Sequence, residues 1–124
     1  MTTPHIDVLD AYTRAWTEPD PEVVQELVSR CWNEESEIIG PGYYFKGRQA
    51  LLDEIARFHR EQSDYKVIMT SGFDTHGAWT RFTIAVVKPD GSRGHEGWDV
   101  VEQDSEGKIR RVISFWGPLP NNGQ

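Results

Sequence analysis

Residues 78–117 read AWTRFTIAVV, KPDGSRG, HEGWDVVEQ, DSEG and KIRRVISFWG in succession. The first, third and fifth segments are rich in β-branched and aromatic residues, and the two between them carry Asp-Gly and Glu-Gly turn chemistry. This predicts three consecutive antiparallel strands. Along the first of them Phe82, Ile84 and Val86 share one face, while Trp79, Arg81, Thr83 and Ala85 share the other. Neither face is fully polar, so the outer one is expected to be covered as well, which predicts a homodimer through the outer sheet face.

Upstream of this run the pattern is helical. Thr2 or Thr3 caps a first helix with Pro4 at its first position, and Ile6, Leu9, Tyr12 and Trp16 recur at steps of three and four. Asp20-Pro21-Glu22 starts a second helix, with Val23, Val24, Leu27, Val28 and Cys31 on its apolar side. From Glu34 to Gly42 the reading is a turn, a short strand about Ile38-Ile39 and a Gly-Pro-Gly break. The aromatic segment 43–47 then lies across an opening. A third helix is expected from about Arg48 to Glu61, with Leu51, Leu52, Ile55 and Phe58 as its stripe. Lys66 to Phe73 reads as a strand, residues 74–77 as a turn, and 118–124 as a frayed polar tail.

Helices gathered in one half and strands in the other predict an α+β fold, with three helices on one face of a mostly antiparallel sheet. A chain of 124 residues is a single domain by length, able to bury about two thirds of its unfolded surface. The formal charge of −7, with 13 scattered basic residues, argues against nucleic acid. A single cysteine excludes an intrachain disulfide and fits a reducing compartment. There is no apolar run near the ~18 residues of a membrane span and no secretory pattern at the N-terminus, so a cytoplasmic protein without membrane contact is expected. Four histidines without helical or strand pairing give no metal constellation, and no cofactor motif is present.

The order of parts resembles the nuclear transport factor 2-like superfamily, in the branch of ketosteroid isomerases and SnoaL-type polyketide cyclases. Tyr12-Thr-Arg-Ala-Trp16, Ile38-Ile-Gly-Pro-Gly42, Phe45-Lys-Gly-Arg-Gln49, Trp98-Asp-Val-Val101, Gly107-Lys-Ile-Arg110 and Phe115-Trp-Gly117 carry the resemblance. It implies a strongly curved, cone-shaped sheet with the helices on its concave side and a pocket between them. In the isomerases a tyrosine and a protonated aspartate form an oxyanion hole and a second aspartate is the base. The resemblance puts the first two on Tyr12 and Asp99 and the base on Gly40, which cannot take a proton. It also turns Phe82, Ile84, Val86, Gly97, Val101, Val112, Ser114 and Trp116 toward the pocket. The Asp-Arg-Asp set of the related epoxide hydrolases falls on Thr83, Arg81 and Ser114 and is incomplete.

For a site, Tyr12 and Asp99 are the candidate hydrogen-bond donors and His59, beside Phe58 on the third helix, a candidate substitute base. Trp16, Trp32, Tyr43, Phe45, Phe58, Phe82, Ile84, Val101, Val112, Ser114 and Trp116 are the candidate lining for a small hydrophobic molecule. His76 and His95 read as exposed. Two functions stay open: an isomerase, lyase or cyclase using acid–base chemistry, or a non-catalytic hydrophobic-ligand-binding or accessory dimerisation domain.

Overall fold

A computed structural model of the chain describes residues 6–123. The expected cap at Thr2 or Thr3 and Pro4 falls outside them. Three helices, α1 (Ile6–Ala15), α2 (Pro21–Cys31) and α3 (Arg48–Glu61), accompany seven strands. The strands are β1 (Trp32–Gly40), β2 (Tyr43–Lys46), β3 (Lys66–Met69), β4 (Asp74–His76), β5 (Trp79–Val87), β6 (Arg93–Gln103) and β7 (Ile109–Trp116). They form one sheet in the order β2-β1-β7-β6-β5-β3, with β4 also on β5. Every pairing is antiparallel except β1 with β7. The α+β expectation holds: the three helices pack on the concave side of a curved sheet.

The central meander arises as its turns dictate. Asp90 closes the β5–β6 loop by accepting from the Ser92 N–H, and Asp104 accepts from the N–H groups of Glu106 and Lys108 between β6 and β7. Register shifts within β5–β6, β6–β7 and β1–β7 mark where the sheet bends. At the last of these Ser36 leaves the ladder. Its hydroxyl accepts from the Asn33 N–H and donates to the Ile109 carbonyl, so the irregularity leaves that buried hydroxyl partnered.

Helix α2 begins as its sequence says, with Asp20 Oδ1 accepting from the Glu22 N–H at 3.0 Å and Pro21 in the first turn. Helix α3 has no side-chain cap. It starts from Gly47 at φ +92°, whose N–H donates to Ser36 O and whose carbonyl accepts the Trp32 indole N–H at 3.0 Å. The end of α1 is tied to the sheet edge by Thr17, whose hydroxyl donates to Val67 O and accepts from Val67 N–H.

Four local readings are corrected. Ile6 is 49% exposed, while Leu9 and Tyr12 of the expected stripe are buried, joined by Val8, Ala11 and Ala15. The strand about Ile38 begins at Trp32, directly off α2. Residues 43–46, read as an aromatic segment without regular structure, form an edge strand paired with β1. Asp74–His76 is a strand rather than a turn, held by cross-strand pairs: Asp74 with Arg81 at 2.7 Å, and the hydroxyls of Thr75 and Thr80 at 2.9 Å. Its polar residues hide it from β-propensity. Residues 118–123 form no helix or strand, and no helix of the described residues is long and apolar enough to cross a membrane.

Candidate functional site

Strand parity sets the inner wall. Thr80, Phe82, Ile84 and Val86 of β5 face the helices, as do Gly97, Asp99 and Val101 of β6 and Val112, Ser114 and Trp116 of β7. At the narrow end the space is solid: Trp32, Phe82, Val101, Ile109 and Val112 pack with Leu9, Leu51 and Ile55. Beyond them a cavity of about 370 Å³ opens. This volume suits a small ligand.

Asp99 stands in that cavity. It is only 3% exposed and pairs across the sheet with Ser114, whose hydroxyl donates to its Oδ1 at 2.7 Å. Burial raises its carboxyl from the ordinary 3.8 to about 6, against the lowering effect of the Ser114 hydrogen bond. Tyr12 enters from α1. Burial, then the charge of Asp99, holds its phenol well above its usual range, with a smaller opposing effect from Trp16. Tyr12 is therefore a donor that keeps its proton. Its ring is clamped by a stack on Trp32 (centroids 5.7 Å, 13°) and an edge contact with Trp16 (6.4 Å).

The aromatic wall continues through Phe58, edge-on to Trp16 at 5.8 Å, and through Tyr43 stacked on Phe45 at 5.6 Å. Trp116 completes it because residue 97 is glycine. A Cβ there would sit 2.8 Å from the indole, so only glycine lets the ring lie over β6.

Of the residues the sequence proposed, Tyr12, Trp16, Tyr43, Phe45, Phe58, Ile84, Asp99, Ser114 and Trp116 line the cavity. Five do not. Trp32, Phe82, Val101 and Val112 belong to the packed core at the narrow end. His59 projects elsewhere on α3, with Nε2 2.8 Å from the Trp16 carbonyl oxygen.

Three ionisable groups that sequence reasoning left aside do line the wall: Glu54 and Arg57 of α3 and His95 of β6. Glu54 is paired with Arg57. His95 is exposed, as expected, but its ring meets Trp116 edge-on at 6.3 Å at the cavity rim. The signal that would have found it is parity, since His95 and Asp99 are four residues apart on one strand face. Cys31 is fully buried and its thiol pushed up to about 12, so it is no nucleophile. Among the described residues no three His, Cys, Asp or Glu side chains gather to hold a metal.

No family model and no curated sequence matches the chain significantly; the likeness lies with solved structures. A SnoaL-like family protein of Agrobacterium tumefaciens, itself proposed to be an isomerase, is similar with TM-score 0.85 and 30% identity over 92% of this chain and 97% of that one. An NTF2-like protein of unknown function from an Exiguobacterium species has TM-score 0.70 and 20% identity over 90% of this chain and 99% of its own. A proposed polyketide cyclase of Sinorhizobium meliloti has TM-score 0.69 and 16% identity over 87% and 93%. The last two share the fold alone.

Proposed function

This chain belongs to the SnoaL-like family within the nuclear transport factor 2-like superfamily, and from there we propose that it is a small-molecule isomerase or cyclase working by acid–base chemistry. The observation that carries this reading is Asp99, a carboxyl buried in an apolar cavity that also receives the Tyr12 phenol. Such a pair suits a hydrophobic carbonyl compound. When a base removes the proton beside the carbonyl, charge develops on oxygen, and two pre-placed O–H donors stabilise it. Return of the proton elsewhere gives isomerisation; attack of the same carbanion on a second carbonyl gives ring closure.

Asp99 donates only in its protonated form, which dominates below about pH 6. A developing oxyanion beside it disfavours the carboxylate further, so the complex retains the proton to higher pH. For the base, His95 is the better candidate, because Glu54 is engaged by Arg57. His59 has no place in the mechanism, since its ring is bonded to Trp16 O away from the cavity. With a ketone substrate, Tyr12→Phe is expected to lower kcat about a hundredfold or more, and His95→Ala to lower it by about a hundredfold as well. Tight binding of hydrophobic ketones by the wild type with no turnover of any of them would favour the second reading, a hydrophobic-ligand-binding protein. That reading draws on Gly40 in place of a carboxylate.

A second copy of the chain is proposed to cover the outer sheet face. Ladder register there sets Tyr44, Ile39, Ile113 and Val100 in one row and Phe115 with Trp98 in the next. Phe115 and Trp98 are 57% and 44% exposed. Trp98→Asp is expected to shift the sedimentation coefficient from dimer to monomer; a wild-type chain already monomeric at micromolar concentration would sink the idea.

A further inference from the structure

Gly40 and Tyr43 face each other across the β1–β2 hairpin as a register pair. The phenol folds back over the glycine: a Cβ built on Gly40 would lie 2.0 Å from Tyr43 Cζ and 2.3 Å from its Oη. Real Cβ atoms essentially never approach so closely, so any side chain at residue 40 would evict the phenol. The same Oη accepts the Trp116 indole N–H at 3.1 Å. An indole nitrogen can only donate, so the phenol uses a lone pair there and keeps its own proton to give. Tyr43 and Trp116 both line the cavity.

We infer that the Tyr43 hydroxyl is a third hydrogen-bond donor to the ligand, seated by Gly40 and aimed by Trp116. This deepens the reading of Tyr12 and Asp99 as donors and rests on it. It also specifies the ligand. Asp99 is bonded to Ser114, whereas Tyr43 is bonded to Trp116 and folded over Gly40. Asp99 stands on β6 and Tyr43 on β2, with β7 and β1 between them, so the two donors enter the cavity from well-separated strands. Apolar side chains such as Ile38 and Ile84 complete the walls. The fitting molecule is an apolar ring compound with two acceptor oxygens, one for each donor, of the diketone or hydroxyketone class.

Three probes separate the contributions: tetralin, with no oxygen; α-tetralone, with one; and α-tetralone carrying a methoxy group para to its carbonyl, with an oxygen at each end. Affinities are measured by calorimetry for the wild type, Tyr43→Phe, Gly40→Ala and Tyr12→Phe. Tyr43→Phe keeps the ring and is expected to weaken the methoxytetralone about tenfold while barely changing the other two. Gly40→Ala should reproduce that pattern, and the double variant should lose no more than either single one. Equal weakening of all three probes, or an unchanged methoxytetralone affinity in Tyr43→Phe, would overturn the assignment. The Tyr12→Phe arm reports on the underlying reading separately: if it leaves α-tetralone binding untouched, the oxyanion-hole reading falls whatever Tyr43 does.

Discussion

Trp32→Ala is expected to cost about 3–5 kcal/mol of folding stability, the loss of transfer energy plus the cavity left behind. The indole is fully buried where α2 passes directly into β1. It stacks on Tyr12, and its N–H satisfies the Gly47 carbonyl in the turn that opens α3. Alanine therefore empties the narrow end of the cone, leaves the Gly47 carbonyl with the Leu51 N–H as its donor, and removes the platform that orients the Tyr12 phenol. Urea denaturation measures the effect, with Leu119→Ala as the control. Leu119 lies after β7 and is 93% exposed, and its loss is expected to cost under ~1 kcal/mol. Comparable losses at the two positions would mean that Trp32 is not the packing centre described above. Trp32→Phe divides the effect further, since it keeps a ring against Tyr12 but loses the bond to Gly47.

Asp99→Asn should change how stability depends on pH. In the folded chain this carboxyl titrates near 6, and in the unfolded chain near 3.8. Between those values the folded state holds a proton that the unfolded state has released, so the contribution of Asp99 to stability falls as pH rises. It is most favourable below about pH 4, declines through pH 6 and is flat above. The rise from 3.8 to about 6 corresponds to about 3 kcal/mol at ~1.36 kcal/mol per pH unit. An amide at the same place carries no charge and can still accept from Ser114. The variant should then be more stable than the wild type at pH 7–8 by up to ~3 kcal/mol, and the difference should vanish near pH 4.

Glu37, Asp74 and Asp90 act in the opposite direction. Their hydrogen bonds, to Tyr44 and Arg111, to Arg81, and to Ser92, hold their carboxyls below the ordinary range. Their contributions are present at neutral pH and lost on acidification, which is why the measurement must be the difference between wild type and variant across the pH range. Parallel stability curves would mean that Asp99 is solvated and cannot act as a neutral donor. Catalysis supplies a second readout: with asparagine at 99, any limb of the rate profile near pH 6 should disappear.

Much of this architecture was legible in the residues alone. Local chemistry fixed the two turns of the β5–β7 meander through Asp90 and Asp104, the start of α2 through Asp20-Pro21, and the span of α3 through its apolar period. Period two alone put Phe82, Ile84 and Val86 on one common face, because alternation is a property of any strand wherever it lies. The family resemblance turned that face toward the pocket and added Asp99 and Ser114 to it. Those signals depend on neighbours close in sequence.

What they could not decide was depth. Phe82 and Ile84 share a face, yet one is packed at the narrow end and the other borders the cavity, because a cone has a full end and an open end that alternation does not distinguish. Phe58 and His59 are adjacent in sequence and some 100° apart on a helix, so the orientation of α3 alone puts one into the cavity and turns the other to the Trp16 carbonyl. Trp32 and Trp116 are the same residue type, but one became core and the other wall through Tyr12, Gly47 and Gly97. Gly40 shows the limit most plainly. In the sequence it is a missing carboxylate, and in three dimensions it is the space occupied by a tyrosine three residues away. Spacing and pattern determined the sheet and its faces; only long-range packing determined which side chains on that face meet a ligand.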